Sequence, residues 1–207
     1  MTGTAIPRLH LISDRRLCDL RSFSSIAAHA AAAGVDAVHL REKQLAAGEL
    51  LDAARTLRSG VGNAAIFVND RIDVALLSDA DGVQLGESSF SVADARSLSG
   101  GRLLIGRSVH DVEGARRAAD DGADFVIAGH VYETASKAGQ AGRGPQFIAS
   151  IAAACPLPII AIGGITPERI AEVLAAGAHG VAVISGILYA DDPGSAAALY
   201  AAALARG

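Results

Sequence analysis

Ile159-Ile160-Ala161-Ile162-Gly163-Gly164-Ile165-Thr166-Pro167 is an apolar run that breaks at two glycines and enters a helix, and Val181-Ala182-Val183-Ile184-Ser185-Gly186-Ile187 repeats the pattern one strand later. Glycine at the C-terminal end of a strand lets the backbone approach a ligand closely. The helical turn that follows adds unpaired N–H donors and the positive end of a dipole. One such turn alone reads as a tight connection. Two of them in the last two βα units of a (β/α)₈ barrel make a phosphate cradle, a place where such barrels commonly hold phosphate. The cradle predicted here consists of Gly163, Gly164, Ser185 and Gly186.

Outward from these turns, strand and helix signals alternate along the whole chain. Strand-like runs fall at Arg8–Ser13, Ala37–Glu42, Ala65–Asp70, Gly82–Glu87, Leu103–Val109, Asp124–Val131, Pro158–Gly164 and Gly180–Ile187. Helix-favouring stretches such as Ser24–Ala33, Glu49–Leu57, Val112–Asp120 and Pro167–Ala176 lie between them. Eight βα units predict a closed parallel (β/α)₈ TIM barrel. An internal echo supports the count: Gly34-Val35-Asp36-Ala37, Ala80-Asp81-Gly82, Gly122-Ala123-Asp124-Phe125 and Gly177-Ala178-His179-Gly180 each precede an even-numbered strand, the sign of a fourfold βαβα repeat. A flavodoxin-like open sheet is the structural alternative. No linker or low-complexity tract divides residues 1–207, so one domain is expected.

Composition narrows the function classes. The 207 residues, 51% hydrophobic and 4% aromatic, suit Ala-rich helices packed closely on a parallel sheet. The net charge of −4 argues against nonspecific nucleic-acid binding and requires local cations for an anionic substrate. No apolar run approaches the length of a membrane span, and Met1-Thr2-Gly3-Thr4-Ala5 lacks the features of a secretion signal, so a cytoplasmic protein is expected. Cys18 and Cys155 read as isolated thiols, and no local feature favours a catalytic cysteine. Oligomeric state is left open, a homodimer included.

Barrel function gathers at the C-terminal ends of the strands. The second strand ends in Arg41-Glu42-Lys43, the third in Asn69-Asp70-Arg71, the fourth in Gly86-Glu87, the fifth in Ser108-Val109-His110 and the sixth in Gly129-His130. Singly, Arg41 and Lys43 also read as a solvated cluster, and Asn69-Asp70 as the cap of a helix starting near Ile72. Arg41, Lys43 and Lys137 are the cations available for a carboxylate or phosphate. His130 is a candidate for proton transfer, with structural hydrogen bonding as the alternative. Ser108 and His110 form a nucleophile pair only if their side chains converge. Tyr132–Gly144, rich in small residues, reads as a lid carrying Lys137.

In this order, Leu40-Arg41-Glu42-Lys43, Val68-Asn69-Asp70-Arg71, Gly82-Val83-Gln84-Leu85-Gly86, Gly106-Arg107-Ser108-Val109-His110, the Lys137 loop, Ile162-Gly163-Gly164-Ile165 and Ile184-Ser185-Gly186-Ile187 resemble the thiamine-phosphate synthase superfamily. The resemblance spans almost the whole chain and implies one of two activities. Thiamine-phosphate synthase joins a pyrimidine diphosphate to a thiazole phosphate with magnesium. The TenI-type thiazole tautomerase aromatises a thiazole carboxylate phosphate by moving a proton. Ser89 stands where the synthase pattern places a second metal-binding Asp after Asp70, with Glu87 nearby. Ala128-Gly129-His130-Val131-Tyr132 looks like the tautomerase pattern, in which the His is the proposed acid/base.

On these two features the resemblance implies a thiazole tautomerase without metal or cofactor. Its catalytic residue would be His130, and its phosphorylated thiazole would be held by Arg41, Lys43, Asn69, Ser108, Lys137 and the four cradle residues. The alternatives are a magnesium-dependent synthase using Asp70 and a non-catalytic protein that binds thiazole phosphate.

Overall fold

A computed structural model describes residues 5–137 and 139–207. The strands are β1 (Leu9–Ile12), β2 (Ala37–Leu40), β3 (Ala65–Asn69), β4 (Gly82–Leu85), β5 (Leu104–Val109), β6 (Phe125–Gly129), β7 (Ile159–Ile162) and β8 (Gly180–Val183). They pair in parallel in chain order, and β8 returns to β1 through Leu9–Val181, His10–Ala182 and Leu11–Val183. That last pairing closes the barrel and excludes the open flavodoxin-like sheet. The outer layer consists of α1 (Leu20–Ala32), α2 (Ala47–Gly60), α3 (Ile72–Leu77), α4 (Val92–Ser99), α5 (Val112–Asp120), α6 (Pro145–Ala152), α7 (Ile170–Ala175), α8 (Ser185–Leu188) and α9 (Pro193–Ala205). The chain is a single-domain (β/α)₈ barrel, as its alternation predicts.

Helix entry and inward face are both local consequences of sequence. Asp19, Ser91, Asp111 and Asp192 each accept a backbone N–H three residues on, capping α1, α4, α5 and α9. The helical spacing of Phe23, Ala27 and Ala30, and of Leu50, Ala54 and Leu57, turns one stripe of α1 and of α2 onto the barrel. The expected strand over Gly180–Ile187 is too long: β8 stops at Val183, and Ser185–Leu188 is a helical turn with Ile187 and Leu188 buried. A short apolar run does not by itself distinguish a buried strand from a buried helix.

The fourfold echo has a physical basis. Asp36 accepts from the N–H of Leu9 (2.7 Å) and gives its own N–H to the Leu9 carbonyl. Asp81 and Asp124 do the same with Ile66 (2.7 Å) and Ile105 (2.6 Å). Each carboxylate thus pins the start of the odd strand preceding its own even strand. Arg58 of α2 and Arg96 of α4 pair with Asp81 and Asp124 from the helix layer. In the fourth copy His179 keeps only the backbone half, to Ile159, while its ring bonds the Ile6 carbonyl.

Inside the barrel, Ile12, Ala37, Phe67, Phe125, Ile127, Ile160 and Ala182 form a compact plug. Two fully buried histidines share it, with His10 Nδ1 2.8 Å from His39 Nε2 and His10 Nε2 2.9 Å from the Pro7 carbonyl. A carbonyl only accepts, so His10 carries its proton on Nε2 and His39 donates from Nε2. His39 Nδ1 is then left without a partner, as observed. Both rings are held neutral: burial lowers His10 to about 4 and takes His39 well below its ordinary value.

Among the described residues no helix is long and apolar enough to cross a membrane. Of the segment Met1–Ala5 that bears on a secretion signal, Met1–Thr4 lie outside those residues. Both cysteines are free, Cys155 buried and Cys18 half-buried.

Asp124→Ala removes the acceptor from the N–H of Ile105 and the partner from Arg96, so it should cost about 1–3 kcal/mol in urea unfolding. Asp121→Ala, at an exposed position, should stay within about 0.5 kcal/mol. Because the folded His10 resists protonation, its contribution is complete above its ordinary value of 6.5 and is lost as pH falls towards about 4. The urea midpoint should therefore fall between about pH 6.5 and 5, where most carboxylates stay ionised, and His10→Gln should flatten that fall.

Candidate functional site

The C-terminal ends of the strands surround one cavity of about 610 Å³. Arg41, Lys43, Asn69, Ser108, His130, Lys137, Gly163, Gly164, Ser185 and Gly186 all line it, so the residues singled out in the sequence come together in one place.

At one pole is the β7 turn, where Gly163 (φ 102°) and Gly164 (φ 63°) occupy conformations that side chains resist. The Gly163 carbonyl is engaged by the N–H of Tyr132 (2.9 Å) and the Gly164 carbonyl by Arg169 Nη1 (2.7 Å). The N–H groups of Gly164 and Ile165 have no protein acceptor among the described residues. Ser185 and Gly186 stand beside them in the first turn of α8, where helix N–H groups lack internal partners. This pole can hold a phosphate.

The need for glycine here comes from protein neighbours. A Cβ at Gly163 would strike the His130 side chain, and one at Gly164 the Glu133 carbonyl and Tyr132. At Gly186 it would strike the hydroxyl of buried Tyr200, which donates to the Ile165 carbonyl at 3.0 Å.

The other pole is cationic. Glu42 turns into the protein, where Ser13 Oγ donates to it at 2.6 Å and burial pushes its carboxyl up. Arg41 and Lys43 flank it and face the cavity, so they are not merely a solvated cluster. Sequence reasoning missed Asp14 and Arg16, which lie at the same rim past the end of β1. Arg16 grips the buried Asp14 carboxylate through Nε and Nη2 (2.9 and 2.5 Å) and holds it below the usual carboxylate range. The strand-end rule, applied to β1 as to the others, would have found them.

Between the poles lies a polar floor. Asn69 of β3 stands in register with Gln84 of β4, whose Nε2 donates to Ser108 Oγ at 3.0 Å. Asn69 Oδ1 and Gln84 Oε1 are buried acceptors with no protein donor. Ser108 and His110 do not form a nucleophile pair, because Ser108 serves Gln84. His110 lies instead against the Gly129 carbonyl (3.3 Å) and 3.9 Å from Glu87.

Asp70, at φ 63°, does not cap α3. Its Oδ1 accepts from the Gly86 N–H (3.0 Å) and from Ser89 Oγ. His130 Nε2 donates to the Ala141 carbonyl at 3.0 Å, joining the two feet of the loop that carries Lys137. Among the described residues no three His, Cys, Asp or Glu side chains gather in a metal-holding group.

Comparison with known proteins identifies the family. Residues 9–187 match the family described as thiamine monophosphate synthase. A thiamine-phosphate synthase of Methanoculleus marisnigri is 44% identical over 193 residues, 91% of each chain. One of Haloquadratum walsbyi is 43% identical over 181 residues, 85% of this chain and 81% of its own. A solved structure of thiamine phosphate pyrophosphorylase from Pyrococcus furiosus superposes with a TM-score of 0.87 at 34% identity over 96% of both chains. The chain belongs to this family of thiamine-biosynthesis enzymes.

The tautomerase reading is corrected by these relatives, which carry the synthase name. The two residues behind it have other partners here: Ser89 remains hydrogen-bonded to Asp70, and His130 Nε2 is engaged within its own loop.

Gly186→Ala should lose about 1–3 kcal/mol of stability by overpacking against the Tyr200 hydroxyl. Adding Tyr200→Phe should recover part of that loss in thermal unfolding. No recovery would mean that the clash lies elsewhere.

Proposed function

We propose that this enzyme is a thiamine-phosphate synthase, joining an aminopyrimidine methyl diphosphate to a thiazole phosphate. The observation that carries the reading is a cavity with a neutral N–H cradle at one pole, the cations Arg41 and Lys43 at the other, Lys137 on the loop after β6, and two orphaned acceptors in its floor. A lone phosphate would use one pole only. Two phosphorylated substrates use both, and the pyrimidine's amino group supplies the N–H donor that Asn69 Oδ1 or Gln84 Oε1 lacks. An acceptor left buried and unpaired costs about 1–3 kcal/mol, which a donor-bearing ring relieves. The synthase names of relatives 43% and 44% identical support the same reading.

The thiazole phosphate sits on Gly163, Gly164, Ser185 and Gly186, and Arg41, Lys43 and Lys137 face the diphosphate. The thiazole nitrogen forms a bond to the pyrimidine methylene carbon as the carbon–oxygen bond breaks, and the electron pair leaves with diphosphate. The cations stabilise that departing charge where it develops. Holding both rings in one site makes the encounter effectively intramolecular.

The rim also fits magnesium, which binds through one or two carboxylates together with substrate phosphates and water. Asp70 would hold it, with the adjacent Ser89 hydroxyl and Glu87 as further oxygen donors. Bound there, magnesium supplies positive charge to the leaving diphosphate.

Purified protein given both substrates and magnesium should release thiamine phosphate and diphosphate in equal amounts, read by chromatography. Asp70→Asn should lower kcat by on the order of 10²-fold. Binding of thiazole phosphate without product would exclude the synthase reading.

A further inference from the structure

Three side chains outside the cavity converge on the back of its glycine turn. The Arg169 guanidinium lies over the Tyr132 ring, 4.4 Å from its centre, and donates through Nη1 to the Gly164 carbonyl at 2.7 Å. The Tyr132 hydroxyl donates to Glu172 Oε2 on α7. Tyr132 also gives its backbone N–H to the Gly163 carbonyl, so both turn carbonyls are held from the same side. Neither Arg169 nor Glu172 lines the cavity.

We infer that Arg169, seated on Tyr132, is a positioning residue that orients the Gly163–Gly164 turn for its phosphate and couples that turn to the loop carrying Lys137. A peptide unit's carbonyl and N–H point in opposite directions. Fixing the Gly164 carbonyl towards Arg169 therefore fixes where the next N–H, that of Ile165, points. The N–H groups of Gly164 and Ile165 are the ones left without a protein acceptor. Two consecutive residues at positive φ have glycine's conformational freedom, and without an external hold the turn would spend part of its time with these donors misdirected.

The loop is tied in through Tyr132. Its first foot, His130–Tyr132, is joined to its second by Arg143 N–H to the His130 carbonyl, Gly144 N–H to the Val131 carbonyl and His130 Nε2 to Ala141. Thr134 and Lys137 then project over the cavity from a base that the clamp holds. The Tyr132 phenol has its titration pushed up to about 12, by burial first and then by Glu172, so it stays a donor throughout the working range.

The inference rests on the placement of thiazole phosphate at this turn, and the test separates the two. Calorimetry and steady-state kinetics are run on the full chain with hydroxyethylthiazole phosphate as probe. If wild-type protein does not bind it, the placement fails and the clamp's role with it. If wild type binds, Arg169→Ala should raise both Kd and KM for the thiazole phosphate about tenfold or more. Its kcat and its KM for the pyrimidine diphosphate, which feel the clamp only through Lys137, should change less, by about threefold at most.

Arg169→Lys keeps a cation that can reach the Gly164 carbonyl and should recover part of the affinity. Tyr132→Phe keeps the ring under the guanidinium but frees Glu172, and should raise Kd about threefold. An unchanged Kd in Arg169→Ala, or an equal rise in KM for both substrates, overturns the inference. Should Arg169→Ala fail to fold, Tyr132→Phe decides, and a wild-type Kd in that variant overturns it equally.

Discussion

The structure depends on how the strands are tied to one another at their N-terminal ends, and three of those ties use a repeated carboxylate. Asp36, Asp81 and Asp124 each exchange two hydrogen bonds with one residue at the start of an odd strand, tying β1, β3 and β5 to the strands that follow them. An N–H at the rim of a barrel would otherwise have to compete for water or remain unpaired, and the carboxylate removes that choice. With one rim pinned in this way and the interior filled by Phe67, Phe125 and the paired His10 and His39, the opposite rim is free to carry polar groups and glycine turns.

Much of this is visible in the sequence because the repeat is visible. The recurring Asp before β2, β4 and β6 registers as an echo before its role is known, and Val112–Asp120 is read as a helix with the bounds that α5 has. What escapes is whatever depends on three-dimensional partners. Apolar Ile184–Ile187 does not announce that it turns into α8, since helix and strand both bury such a run. Glycine at 186 looks like an invitation to a ligand, yet its neighbour is the Tyr200 hydroxyl. Asp70 looks like a cap, yet its backbone turns to φ 63° and its carboxylate meets Ser89.

The site teaches the same lesson about chemistry. Counting carboxylates along the chain makes Ser89 a loss, whereas in space its hydroxyl stays hydrogen-bonded to Asp70. An imidazole at a strand end suggests proton transfer, whereas His130 gives one nitrogen to closing the loop over the cavity. The groups hardest to weigh from the sequence are the quiet ones. Asn69 is named from the sequence as a strand-end residue, but that its Oδ1 and Gln84 Oε1 lie buried without a donor is visible only in three dimensions. A floor of unpaired acceptors between an N–H cradle and a cluster of cations is a stronger constraint on the ligand than any single strand-end residue.

The central claim is that the thiazole phosphate lies on the N–H cradle and the aminopyrimidine on the floor beside it, and a crystal structure with thiamine phosphate bound tests it directly. The account predicts the phosphate against the N–H groups of Gly164 and Ile165 beside Ser185, with the aminopyrimidine over Asn69 and Gln84 and its amino group donating to one of the two orphaned oxygens. A phosphate lodged instead on Arg41 and Lys43, with the floor acceptors still unpaired, would contradict it.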